Sequence, residues 1–277
     1  MFSQNARCIY RKNSLDNVIC QLRFPEILSI ETNLPAEFQE AIRSEFPQYA
    51  CTKDKPAPKL LGTPGNLRME QQPECNNYHF ASADGIWRVN LTSKFISLSC
   101  SRYTRWEDFA RKLDKPLAAF IKIYKPANFE RLGLRYVNLI SRKALDLADV
   151  PYRDLLNPCW IGPFAEEDVQ ETAVTRHTID SEITIRGGCR VKIHAGPVLV
   201  SRGGKTEPEP KFAFDQDLYM TGNIPVTYSA GSLETLHSQA YSIFRGAITD
   251  TLHEAMEPER FYVHVNKIGR SCKLGNK

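Results

Sequence analysis

Hydrophobic and polar positions follow two periods along the chain, and the switches between them outline a fold. Residues 17–24 alternate, with Val18, Cys20, Leu22 and Phe24 on one side and Asn17, Ile19, Gln21 and Arg23 on the other. This period of two predicts a strand with one buried face. Phe38, Ala41, Ile42 and Phe46 then recur at helical spacing, with Pro35 suited to the first helical position and Pro47 ending the segment. Residues 50–76, rich in Pro, Gly, Lys and Asn, predict a long irregular loop. Alternation returns over 78–83, 86–92 and 94–101, and Asp84-Gly85 between the first two runs signals a hairpin. Thr104 with Glu107 forms a capping-box pattern. Behind it Trp106, Phe109, Leu113, Leu117, Phe120 and Tyr124 step by three and four residues, the stripe of a long amphipathic helix that Pro126 stops. Residues 128–140 predict a further strand.

The second half repeats this order more loosely. Residues 172–185, the turn Gly187-Gly188, residues 189–200 and residues 211–220 predict three strands, the first two joined as a hairpin. Ser232 caps a helix striped by Leu233, Leu236, Ala240, Ile243, Phe244, Ala247, Leu252 and Met256. The expected class is α+β, an antiparallel sheet built from two β-β-β-α-like halves with long amphipathic helices packed on one face. The expected organisation is an N-terminal half over 1–140, a proline-bearing linker over 141–171, a C-terminal half over 172–257 and a basic tail over 258–277. Lys267, Arg270, Lys273 and Lys277 of that tail follow the last acid, Glu259, and could contact an anion.

Composition narrows the function classes. A chain of 277 residues with 42% hydrophobic and 25% charged positions is neither disordered, collagen-like nor a coiled coil. At that length it hides about three quarters of its unfolded surface, so disulfides are not needed to hold it. The net charge of +4 comes from interleaved signs, which permits an anionic partner without demanding one. No apolar stretch of signal-peptide length opens the chain, and the longest apolar run, 117–121, is far short of the roughly 20 residues that span a bilayer. A cytoplasmic protein without a membrane partner is expected. Its eight cysteines contain no C-x-x-C pair and read as reduced, small hydrophobes.

Motifs for chemistry are sparse. Residues 201–206 resemble the end of a phosphate loop, but Leu199 stands where its first glycine belongs, and Glu207-Pro208-Glu209-Pro210 forbids the helix that must follow. Cys75 with His79 and Cys189 with His194 offer zinc donors at unsuitable spacing. Asp215 and Asp217 share a strand face and could hold a divalent ion, yet no third ligand can be picked out; Glu166, Glu167 and Asp168 read as a solvated loop. Six histidines and many serines occur without a G-x-S-x-G elbow. No catalytic residue, metal or cofactor is assigned.

The sharpest polar feature lies in 130–140, where alternation sets Arg131, Gly133, Arg135 and Val137 against Leu132, Leu134, Tyr136, Asn138 and Ile140. Two arginines flanking a glycine predict a flat cationic notch for a carboxylate, a phosphate or a partner backbone. Arg88, Asn90, Arg102, Tyr103 and Arg105 could join it. The competing reading is that these arginines pair with acids on a solvated sheet face.

At this strand a resemblance emerges. The segments 17–24, 87–91, 95–99, 103–109 and 131–138 (NVICQLRF, WRVNL, FISLS, YTRWEDF and RLGLRYVN) together resemble a sporadically distributed family of uncharacterised bacterial proteins, over most of the chain from about Tyr10 to Met256. That resemblance implies genes carried by mobile elements, including antiviral-defence and toxin–antitoxin loci, and assigns no reaction. The expected function is therefore a non-enzymatic accessory or regulatory protein that binds a protein partner or itself as a homo-oligomer. The alternatives are a DNA- or RNA-binding accessory protein, supported by Tyr103, Trp106 and Tyr136 beside arginines, and a divalent-metal hydrolase using Asp215 and Asp217.

Overall fold

A computed structural model describes residues 2–55, 59–63, 66–71 and 73–259. The fold is α+β. Nine antiparallel strands form one sheet: β1 (Leu15–Arg23), β2 (Gln48–Asp54), β3 (Cys75–Ala81), β4 (Trp87–Leu91), β5 (Phe95–Cys100), β6 (Phe129–Ile140), β7 (Ile179–Thr184), β8 (Arg190–Val198) and β9 (Lys211–Ile224). Their spatial order is β7-β8-β9-β6-β1-β5-β4-β3-β2, so the two halves join edge to edge where β6 pairs with β9. The helices are α1 (Leu28–Thr32), α2 (Ala36–Ile42), α3 (Trp106–Tyr124), α4 (Tyr152–Leu155), α5 (Ser229–Ala247) and α6 (Asp250–Ala255).

Alternation decides which face is buried. Val18, Cys20 and Leu22 of β1, Leu132, Leu134 and Tyr136 of β6, and Phe212, Phe214 and Leu218 of β9 lie under the helices. Phe120 of α3 packs on Phe24 at 4.6 Å, Phe38 of α2 on Phe80 at 5.4 Å, and Phe244 of α5 on Phe214 at 6.1 Å. The two long helices thus share one face, as expected. Residues 141–171, expected as a linker, add to the same core. Leu145, Tyr152, Leu155, Leu156, Trp160, Ile161 and Phe164 are buried, and Tyr152 and Trp160 each lie 5.3 Å from Phe212 and Phe214 respectively.

Local expectations are refined in five places. The predicted loop over 50–76 contains the edge strand β2 and a hairpin of Lys59–Thr63 with Asn66–Glu70, because backbone pairing overrides the low strand propensity of its polar residues. The capping box at Thr104 does not form: Arg105 is the N-cap of α3, Thr104 donates to Asp108, and Glu107 is drawn instead into a bidentate pair with Arg7. The helix predicted to run through Met256 breaks at Ile248, whose extended backbone bridges to Leu156, and Thr249 caps α6 by accepting from the Leu252 amide. The predicted strand over 172–185 shortens to β7. The phosphate-loop look-alike is a tight hairpin, Ser201–Arg202 with Lys205–Thr206, turned by Gly203 and Gly204 at φ 57° and 78°.

Candidate functional site

Two places gather polar chemistry, the uncovered face of the sheet and a cavity beneath α5. On the uncovered face Arg131, Gly133 and Arg135 stand opposite Thr221, Tyr219 and Asp217 of β9. The notch predicted at Gly133 is occupied by the chain itself. Arg131 Nη2 reaches both carboxylate oxygens of Asp217 at 2.8 Å, its guanidinium lies 4.6 Å from the centre of the Tyr219 ring, and a Cβ on Gly133 would sit 2.2 Å from its Nη1. A side chain at Gly133 would have to displace the guanidinium that passes over it. Arg135 pairs in the same way with Asp215, its Nε donating at 2.8 Å. The two acids considered for a metal are therefore the partners of the two arginines considered for an anion. Across the β9–β8–β7 ladder the pattern continues: Tyr219 donates to Glu182, which Arg190 and Lys192 approach at 3.9 and 3.8 Å, and His194 bonds Asp180 at 2.8 Å. On the other side Asn90 donates to Asn77 and bonds His79, and His79 bonds Thr52.

The remaining predicted residues scatter. Arg88 is exposed on the same face, three strands from Arg135, or about 14 Å at ordinary strand spacing. Arg102 is exposed before α3, and Arg105 pairs with Asp108 beside it. Tyr103 is on the buried side, its ring 5.8 Å from Tyr136. Tyr103, Trp106 and Tyr136 are all buried and present no stacking surface for a base. Cys75 and His79 lie on β3, whereas Cys189 immediately precedes β8 and His194 lies on it, six strand spacings or about 29 Å away, which rules out a shared zinc ion. Among the described residues no group of three or more His, Cys, Asp or Glu could hold a metal ion, and no helix is long and apolar enough to cross a membrane. Lys267, Arg270 and Lys273 lie outside the described residues.

The cavity lies where no sequence motif points. It encloses about 80 Å³ between β6, β9, α5 and the N-terminal segment. Tyr136 and Gln216 are cross-strand partners in its floor. Tyr136 Oη lies 2.7 Å from His237 Nδ1, and Gln216 Nε2 donates at 3.2 Å to the carbonyl of Ala240, one turn further along α5. The ring of Trp106 stacks on His237 at 4.7 Å and 9°, and its Nε1 donates to Glu234. Burial strips water from the imidazole and, with the Arg7 charge adding to it, drops His237 to about 3, so the ring is neutral. Burial likewise keeps Tyr136 protonated. Beside the cavity the hydrogen bonds from Arg7 bring Glu107 down to about 2. Polar residues at buried parity, Asn138 and Gln216 in their strands and His237 inside the Leu233–Leu236–Ala240 stripe, are the sequence signal for this site.

Comparison of the chain with known protein families and with curated proteins finds no match.

Proposed function

We propose that the protein is a non-enzymatic accessory or regulatory protein that docks a protein partner on the uncovered face of its sheet. The observation that supports this is the arrangement of that face. Arg131, Arg135, Asp180, Asp215, Asp217, Asn90 and His194 are already held by cross-strand bonds, so docking on them freezes few side chains that were free beforehand. Its sign pattern favours a protein over a nucleic acid. Phosphate binding draws on unpaired cations, whereas Arg131, Arg135, Arg190 and Lys192 each sit on an acid of the same face. The resemblance to a sporadically distributed bacterial family, whose patchy distribution is like that of mobile-element genes, supports an antiviral-defence or toxin–antitoxin setting for that partner.

The test places charge and bulk in the middle of the face without touching the core. Ile19 pairs in register with both Arg135 and Ser99, and both Ile19 and Ser99 are half-buried on the uncovered side. Ile19→Arg with Ser99→Arg should weaken a copurifying protein partner at least about tenfold while the circular dichroism spectrum stays native. Unchanged affinity overturns the proposal. Binding to DNA or RNA that falls steeply with salt and is lost in the same variant replaces it with the nucleic-acid reading.

A further inference from the structure

The nine-stranded sheet is open at both ends of its strand order, and its two edges differ in chemistry. At one end β7 carries Asp180 and Glu182, both exposed on the uncovered side. A second copy laid antiparallel against the middle of that edge, with the uncovered faces on one side, would set an acid opposite an acid, which is destabilising. β2, at the other end, carries no such bar. Residues 48–53 are all exposed, no charge stands within 48–52, and the ladder with β3 runs through all seven residues without a bulge. Among the described residues, 48–54 make no backbone–backbone hydrogen bond outside that ladder. An extended strand with its outer amides and carbonyls open is a template for another strand, and edges that avoid such pairing carry lysine, proline or a bulge. β2 has none of these before Lys53.

We propose that β2 pairs antiparallel with β2 of a second copy, joining the two nine-stranded sheets edge to edge. The choice of occupant follows from self-complementarity. Facing residues of an antiparallel pair project to the same side, so with the uncovered faces aligned and all seven residues paired the register is centred on Cys51. It sets Gln48 opposite the partner's Asp54, Tyr49 opposite the partner's Lys53 and Ala50 opposite the partner's Thr52. No like charges meet. An amide faces a carboxylate, and an ammonium comes beside the Tyr49 ring, which is 49% exposed. The operation is a closed two-fold in which every contact occurs twice. At its centre Cys51 faces Cys51 of the partner subunit, with Cα atoms about 4.5–5.5 Å apart at ordinary strand pairing. A disulfide spans roughly 4.4–6.8 Å between Cα atoms, so the two thiols are placed to be linked. Strand side chains stand roughly perpendicular to the sheet, so the pairing covers backbone groups and leaves these thiols open to reagents.

Sedimentation velocity of the full-length protein in reductant, at about 100 μM, should show a dimer. After removal of the reductant, diamide, which takes up two electrons and two protons as two thiols join, should link the chains, and peptide mass spectrometry should find Cys51 bonded to Cys51. A bond between identical residues is necessarily between chains. Cys51→Lys, which sets two ammonium groups opposite each other at an exposed position, should weaken the dimer about fivefold or more. A protein that sediments as a monomer at that concentration overturns the proposal, as does a dimer unchanged by Cys51→Lys when the circular dichroism spectrum is native. Diamide products linked through Cys159, also exposed, with no Cys51–Cys51 peptide equally overturn it. The oxidation assay uses the unaltered chain and so does not depend on the variant folding.

Discussion

Acidification should unfold this protein in a window that belongs to His237. An exposed histidine takes up a proton near 6.5, whereas His237, stacked on Trp106 and sealed under α5, resists protonation down to about 3. The groups facing it are Arg7 on the N-terminal segment, Glu107 on α3, Tyr136 on β6 and, through Trp106, Glu234 on its own helix. Because the unfolded chain binds the proton and the folded one does not, this contribution to stability is fully present above pH 6.5 and is lost progressively as the pH falls towards 3. Between pH 7.5 and 4.5 the loss is about 1.36 × (6.5 − 4.5), or about 3 kcal/mol. The carboxylates held low by arginines, such as Glu107, lose their contribution only below about pH 4.5, so the window separates the two effects. Urea unfolding at both pH values measures the loss, and His237→Gln, which cannot titrate, should remove about 3 kcal/mol of pH dependence from the difference. Equal pH dependence in the wild type and the variant would show that His237 does not set this window.

Gly133 and Arg131 should couple with a change of sign. Gly133→Ala pushes the Arg131 guanidinium off its path to Asp217 and should cost roughly 1 kcal/mol, but in an Arg131→Ala background the same change should be neutral or stabilising, since alanine is the better strand residue; a thermal-denaturation double-mutant cycle reads this, and additivity contradicts it. Cysteine alkylation should follow burial: iodoacetamide at pH 8 with peptide-level mass spectrometry should mark Cys51 and Cys159, both exposed, and spare Cys20, whose thiol burial pushes up to about 12. Labelling of Cys20 at the rate of Cys51 would contradict the packing of β1.

The class of fold was legible because each strand and long helix carries its own period. Val18, Cys20 and Leu22 read as one buried face, and Trp106 to Tyr124 as one stripe, before any tertiary contact is considered. The joining of the two halves was not legible, since the β6–β9 pair brings together residues some 80 positions apart and period-two patterns do not name their partners. The arginine site was legible as residues and not as chemistry. Arg131, Arg135, Asp215 and Asp217 each stood out alone, and only the register shows that they neutralise one another. The cavity was hidden for the opposite reason. Gln216, Asn138 and His237 look ordinary in sequence, and their meaning comes from polar side chains standing at positions that the apolar pattern reserves for the core.

If a partner docks on the uncovered sheet face, chemical footprinting of amine and carboxylate side chains with and without a copurifying partner should show protection there. Lys192 and Asp180 on that face are 59% and 77% exposed, while Lys122 and Lys125 stand exposed at the far end of α3. Protection of Lys192 and Asp180, with Lys122 and Lys125 unchanged, is the predicted result. Protection confined to Lys122 and Lys125, with the sheet face as reactive as before, would contradict it.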